Sequence, residues 1–171
     1  MIYFTADPHY RHEVIIKYCN RPFNNSLEME KGFIKNWNLV VSKEDLTYIV
    51  GDFSMEGARN RWIYETILKK LNGRKILIPG NHDLDKIYYY AGDRGVGFEQ
   101  VCYPYKEVEE FIVIHDPTAG IIFPNRPFIT GHVHQQWHTM HNCFNCGVDV
   151  NNYTPVSIET IRTHFKGVGI L

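Results

Sequence analysis

Seven side chains with oxygen or nitrogen donors fall into five short motifs along the chain. The motifs are Asp-x-His, Gly-Asp, Gly-Asn-His-Asp, a single His and Gly-His-x-His, and their donors are Asp7, His9, Asp52, Asn81, His115, His132 and His134. Imidazole and carboxylate together suit divalent ions such as Mn, Fe, Ni and Zn, and an Asn carbonyl adds a neutral ligand. Two such ions about 3.5–4 Å apart can hold a phosphoryl group and lower the pKa of a water between them. The donor set therefore predicts a two-metal site that hydrolyses phosphate esters.

Each motif directly follows a short apolar run that is typical of a β-strand. These runs cover residues 2–6, 46–50, 75–78, 111–114 and 127–130. In open α/β sheets, sites form beyond the carboxyl ends of the strands, so the five motifs are expected to converge there. One motif alone is more often an ordinary turn than a metal site. The presence of all five in order, each after a strand, favours the site.

Amphipathic segments separate these strands. Helices are predicted over residues 13–19, 59–71 and 85–90, and a last short helix is predicted after residue 157. Between the first two, Ser26 is the predicted N-cap of a longer helix that places Phe33, Trp37, Val40 and Val41 on one face. A strand is also expected over residues 101–103, and weaker ones are expected over residues 144–150. Helices and strands alternate in the first part of the chain, and mainly strands follow. This order predicts an α/β fold with a mixed sheet or two sheets.

Composition limits the class of protein. The chain has 171 residues, which predicts one domain, and a formal net charge of −1, which does not favour a nucleic-acid-binding surface. The four cysteines are too few for a disulfide framework, and we find neither a signal peptide nor a membrane span. We therefore expect a cytoplasmic protein that does not bind membranes and that meets nucleic acid, if at all, only as a substrate.

The order of the motifs resembles that of the calcineurin-like metallophosphoesterases, in their small capless phage and bacterial form. Residues 9–12, 15–23, 36–38 and 147–152 are also similar to these proteins, so the likeness covers nearly the whole chain. The resemblance implies a single α/β domain over residues 1–171, a four-layer αββα sandwich with two mixed β-sheets. It also implies attack on the phosphate ester by a hydroxide that bridges two divalent metals, with Mn favoured over Fe, Ni and Zn.

The resemblance further implies a role for each donor. One metal would be held by Asp7, His9, Asp52 and His134. The other would be held by Asp52, Asn81, His115 and His132, so that Asp52 bridges the two. His82 would contact the phosphate and protonate the leaving oxygen, and Asp83 would orient His82.

Two further residues are candidates for substrate binding. His12 lies three residues after His9 and could contact the phosphate of the substrate. The alternative interpretation is a surface histidine on the first helical turn. Arg21 could bind phosphate through its guanidinium, and its alternative is a salt bridge within a loop.

Two alternatives concern function. A non-catalytic metal-binding or interaction domain could use a degenerate site, or a structural zinc site near Cys143 and Cys146, although Cys-x-x-Cys is half of the usual ligand set. Among enzymes, a larger branch of the resembled family has an Asp and an Arg after Gly-Asp. Here Phe53 and Ser54 follow instead, which disfavours a phosphoprotein substrate.

An open, capless site favours a phosphodiester or a nucleotide as substrate. The sequence does not determine the oligomeric state.

Overall fold

A computed structural model of the protein describes residues 1–55, 61–84 and 97–171. Its strands, in chain order, are β1 (Ile2–Thr5), β2 (Leu46–Val50), β3 (Arg74–Ile78), β4 (Gln100–Val101), β5 (Tyr105–Val108), β6 (Phe111–Ile114), β7 (Phe128–Thr130), β8 (Thr139–Met140), β9 (Cys143–Asn145) and β10 (Val156–Ser157). The predicted strand at 46–50 and the one at 111–114 have the expected bounds. The other three strands that precede site motifs differ by one residue at one end.

The strands form two mixed sheets of five strands each. The first has the order β10-β1-β2-β3-β4 and is parallel except for β10. The second has the order β5-β6-β7-β9-β8, with a parallel centre and antiparallel edges. The predicted α/β fold with two mixed sheets is therefore confirmed.

The α-helices among the described residues are α1 (Glu13–Tyr18), α2 (Ser26–Val40), α3 (Arg61–Leu68) and α4 (Ile158–Gly167). The cap of α2 is one residue earlier than predicted, because the side chain of Asn25 accepts the hydrogen bond from the backbone of Glu28. Ser157 caps α4 in the same way. The helix predicted over 85–90, and residues 59 and 60 of the predicted third helix, lie outside the described residues.

The prediction for the buried face of α2 is wrong at one position. Phe33, Trp37 and Val41 are buried, but Val40 is 37 % exposed. The helix ends at Val40, and Val41 takes an extended backbone that turns its side chain into the core instead. Helical spacing therefore does not predict which of Val40 and Val41 is buried.

The strand predicted over 144–150 is also only partly correct. Strand β9 ends at Asn145, and Val148–Val150 form a 3-10 helix. The side chain of Asn145 accepts from the backbone of Gly147, and the Asn151 amide donates to the carbonyls of both residues. These local bonds turn the chain, because they satisfy backbone groups that a strand would have paired.

Three clusters of buried side chains show how the helices and the two sheets are layered. Helices α1 to α3 pack on the outer face of the first sheet, where Ile49 and Leu77 lie. The inner faces of the two sheets, with Phe4 and Val113 among them, share a second core with α4. A 3-10 helix (Pro117–Ile122) and the residues beside it cover the outer face of the second sheet. No helix in the described part of the chain is long and apolar enough to cross a membrane.

Candidate metal centre

The site lies where the parallel strands of both sheets end. Strands β1, β2 and β3 are neighbours in one sheet, and β6 and β7 are neighbours in the other. The loops that follow these five strands carry all seven predicted donors. Two isolated backbone pairings, Ala6 with Gly147 and Tyr10 with Ser54, hold the first loop to its surroundings. The structure therefore brings together the five motifs that the sequence placed after strands.

Asp52 lies between two groups of donors. Its Oδ2 atom is 3.7 Å from Nε2 of His9 and 3.6 Å from Nε2 of His115. The donor atoms of Asp7, His9 and His134 all lie within 4.8 Å of one another, and so do those of Asp7, Asp52 and His115. Asp7 thus belongs to both groups, and Asp52 reaches a histidine of each.

Asn81 and two histidines complete the second group. Oδ1 of Asn81 is 3.2 Å from Nε2 of His115 and 3.0 Å from Nδ1 of His132. Nδ1 of His115 donates to the carbonyl of Val50 at 2.9 Å. This bond orients the ring and leaves Nε2 with a lone pair directed at the site, which is how metal-binding histidines are usually held.

The backbone around the donors has an uncommon conformation. Five of the seven donors have φ between +47° and +72°, namely Asp7, His9, Asp52, His132 and His134. Residues other than glycine rarely adopt this region, and such strain clusters at functional sites. Two glycines are also required: a Cβ at Gly51 would collide with the ring of His115, and one at Gly80 would collide with the Asp52 carboxylate.

Burial leaves several polar atoms without partners. Asp7 and His9 are 0 % and 2 % exposed. Oδ1 of Asp7 and both ring nitrogens of His9 have no hydrogen-bond partner among the described residues. Burial raises the pKa of Asp7 to about 6 and lowers the pKa of His9 to about 2, so His9 is neutral and keeps a lone pair. A bound cation would offset the cost of burying these atoms, so the donor set fits a metal.

His134 is held by a carboxylate that the sequence did not single out. Its Nδ1 donates to Oδ2 of Asp149 at 2.8 Å, and Cys19 lies beside the same pair. Burial lowers the pKa of His134, but the hydrogen bonds to Asp149 and Cys19 and the charge of Asp7 together outweigh it and raise the pKa to about 10. Asp149 lies within the family-like stretch 147–152, which was the available signal, but its spacing from the other donors carried no information.

Arg21 is not exposed to a substrate. Its side chain is 0 % exposed, and it donates twice to the carboxylate of Asp149. It also donates to the backbone carbonyls of Asp7 and Pro8. The structure therefore agrees with the alternative interpretation, a salt bridge. The prediction that Arg21 binds phosphate is wrong, because its N–H donors are bound to Asp149 and to backbone carbonyls.

His82 and Asp83 follow β3 at the rim of the site. The side chain of His82 is 42 % exposed, and its Nε2 lies 3.9 Å from Oδ2 of Asp52. Asp83 is fully buried and accepts from the backbone N–H groups of Asp52, Phe53 and Gly80. Asp83 thus holds together the loops that carry Asp52 and Asn81.

His12 is near the donors, whereas the cysteine pair forms no comparable cluster. The ring centroids of His12 and His9 are 5.5 Å apart, and burial lowers the pKa of His12. In the described part of the chain, neither Cys143 nor Cys146 joins a group of three metal-type donors. Nearby His138 packs on Phe144 instead.

Comparison with known proteins finds one family model and two relatives that are similar to this chain. The model of the family described as calcineurin-like phosphoesterase matches residues 1–163. An uncharacterized protein of Methanocaldococcus jannaschii is 36% identical in an alignment of 172 positions. This alignment covers 94% of this chain and 88% of that protein. The gene 66 protein of Mycobacterium phage L5 is 32% identical over 81 residues, which cover 47% of this chain and 39% of that protein.

A solved structure is also similar over nearly its whole length. The crystal structure of a protein of unknown function from Aquifex aeolicus has a TM-score of 0.76 and 29% sequence identity. The alignment covers 96% of this chain and 98% of that one.

Proposed function

Since the chain belongs to the calcineurin-like phosphoesterase family, we propose that it is a metal-dependent hydrolase of phosphate esters. The observation that carries this proposal is the position of Asp52, whose carboxylate lies within 4 Å of His9 and of His115. Such a carboxylate can join two metal sites, and buried atoms of Asp7 and His9 without hydrogen-bond partners among the described residues lie beside it.

Two groups of residues would hold the metals. The first is Asp7, His9, Asp52 and His134. The second is Asp52, Asn81, His115 and His132. When bound, two divalent ions would lower the pKa of a water and neutralise charge on the phosphate. Nitrogen and oxygen donors suit Mn, Fe, Ni and Zn, and the family likeness favours Mn.

Residues of the chain itself would bind the phosphate and move the proton. His82 is accessible at the rim and would donate its proton to the leaving oxygen. Its backbone N–H donates to Oδ1 of Asp52 at 2.9 Å, which fixes the start of its side chain beside the metal groups. Asp83 would keep this loop in place, and His12 would contact a phosphate oxygen. A phosphodiester or a nucleotide is the substrate that we favour.

The variant Asp52→Asn tests the proposal, because Asn lacks the anionic carboxylate that would serve both groups of donors. We expect loss of one or both metals by mass spectrometry and a large loss of p-nitrophenyl phosphate hydrolysis. Glu159→Gln, on the exposed first turn of α4, is the control and should keep both properties. Full activity in Asp52→Asn would exclude the two-metal scheme. A wild-type protein that binds metal but hydrolyses no ester would favour the non-catalytic alternative.

A further inference from the structure

Two clefts open at the candidate metal centre and have no lining residue in common. The larger, of about 540 Å³, is bordered by His9, His12, His82 and His134. The smaller, of about 260 Å³, is bordered by Asn81, His115 and His132. The two metal groups therefore face different clefts, and a phosphate at the centre would have room for a substituent on each side. A volume of 540 Å³ is typical of small-molecule sites.

The larger cleft combines apolar walls with uncharged polar groups. Its remaining lining residues are Val14, Ile15, Tyr18, Cys19, Met55, Val133, Gln135 and Gln136. The ring of Tyr18 is largely exposed at 74 % and can stack against a flat ring. Nε2 of Gln135 donates to the carbonyl of Tyr18 at 3.3 Å, and the Gln135 amide oxygen and the amide of Gln136 can pair with the polar edge of that ring. Among the described residues that line this cleft there is no Lys, Arg, Asp or Glu, so none of them offers a cationic partner to the further phosphates of a nucleic acid strand.

The smaller cleft suits a compact neutral group. Leu84, Tyr103, Pro104, Ile114 and Ala119 supply its apolar surface. The single carboxylate among its described lining residues belongs to Asp116. This carboxylate accepts hydrogen bonds from the backbone N–H and from the hydroxyl of Thr118, both at 2.8 Å. A negative charge here would repel a second phosphate and tolerate an uncharged alkyl group.

We propose that the substrate is a phosphodiester with one nucleoside-like arm and one small uncharged arm, which rests on the proposed phosphoesterase function. The nucleoside-like arm lies in the larger cleft and the small arm in the smaller one. Because His82 borders the larger cleft, the nucleoside-like arm is the leaving group. A water loses one proton to solvent as its oxygen bonds to phosphorus. The P–O bond to this arm breaks, and the oxygen of this arm takes the proton of His82, which solvent then replaces. The small arm stays on the phosphate monoester product.

The methyl ester of thymidine 5′-monophosphate tests the direction of cleavage. With the Mn²⁺-loaded protein we expect thymidine and methyl phosphate, identified by chromatography and ³¹P NMR. Thymidine monophosphate and methanol would overturn the proposal, since the arms would then lie the other way round. Faster cleavage of an oligothymidylate strand would overturn it too. If the protein cleaves p-nitrophenyl phosphate but not the methyl ester, this inference fails and the proposed function stands. If neither is cleaved, both fail.

The variant Tyr18→Ala tests the larger cleft directly. Loss of base stacking should raise KM for the methyl ester by about ten- to hundredfold, with a smaller effect on kcat. Leu39→Ala, which also removes a largely exposed side chain, lies on α2 and lines neither cleft. We expect it to leave KM unchanged. A Tyr18→Ala protein that melts like the wild type and keeps its KM would contradict the assignment of the larger cleft.

Discussion

Nδ1 of His134 lies 2.8 Å from Oδ2 of Asp149, and this bond connects a candidate metal ligand to a buried ion pair. The same carboxylate accepts two hydrogen bonds from Arg21, a residue 128 positions away in sequence. Arg21 in turn donates to the carbonyls of Asp7 and Pro8. One arginine and one carboxylate therefore hold the first and the last motif of the site in a common position.

Asp149→Asn should weaken both the fold and metal binding. The substitution leaves the fully buried guanidinium of Arg21 without its anionic partner, which typically costs about 3–5 kcal/mol. It also replaces one of the two accepting oxygens by an NH2 donor, so a single oxygen must serve both Arg21 and His134. Weakening a partner that orients a metal ligand reduces metal affinity about 10–100-fold. Urea denaturation and metal titration measure the two effects. Asp116→Asn, an acidic residue that caps a 3-10 helix, is the control and should change stability less. Wild-type metal affinity in Asp149→Asn would contradict the assigned role.

The stabilisation from Asp149 and His134 should depend on pH in the metal-free protein. Burial raises the pKa of Asp149, but its bonds to His134 and Arg21 outweigh burial and lower it below 3.8, so this contribution is lost in acid. The pKa of His134 is raised from 6.5 to about 10, so its contribution is complete below 6.5 and lost as the pH rises through about 10. The stability difference between the wild type and Asp149→Asn should be largest between pH 3.8 and 6.5. Denaturation curves in a chelator across pH 3 to 11 would show this, and a pH-independent difference would argue against the pair.

His82→Ala should keep its metals and lose catalysis. The residue lies at the rim, outside the proposed ligand groups, so metal content should match that of the wild type. Turnover of a substrate with an alkoxide leaving group should fall by roughly 10²–10⁴, the usual range for general acid catalysis. The loss should be smaller with p-nitrophenyl phosphate, whose leaving group needs no proton. His141→Ala, on an exposed turn, is the matched control. Equal losses with both leaving groups would show that His82 acts in some other way.

Gly80→Ala should disrupt the site through a single methyl group. The new Cβ would collide with the Asp52 carboxylate and would lie 2.8 Å from Cε1 of His115. Because one end of this contact is a proposed bridging ligand, we expect loss of metal as well as of stability. At Gly167 an added Cβ meets nothing within 4 Å, so Gly167→Ala should be neutral or stabilise by up to about 1 kcal/mol. Calorimetry and metal analysis of both proteins test this. Normal metal content in Gly80→Ala would show that the loop can shift.

The site was predictable because its donors follow strong strands. Each of Asp7, Asp52 and His115 comes within three residues of a buried apolar strand, and parallel strands bring their carboxyl ends to one edge. Glycines at these ends were also predictable. Three of the four edge strands were not predicted, whereas β4 overlaps the strand expected over 101–103 at one residue. Strands β5, β8 and β10 are short or carry polar residues, and hydrogen bonds to a neighbouring strand define them more than any pattern of their own.

By itself, the sequence determined the α/β fold and the order in which the candidate donors follow the strands, since local apolar patterns specify strands and the motifs come directly after them. Only the tertiary structure decided that Arg21 serves the fold rather than a substrate, and that Asp149 orients His134. It also decided how the site residues divide between two clefts. The physical reason is that these relationships depend on burial and on contacts between residues far apart in the chain, such as the bond from Arg21 to Asp149. Spacing along the chain carries no record of such contacts.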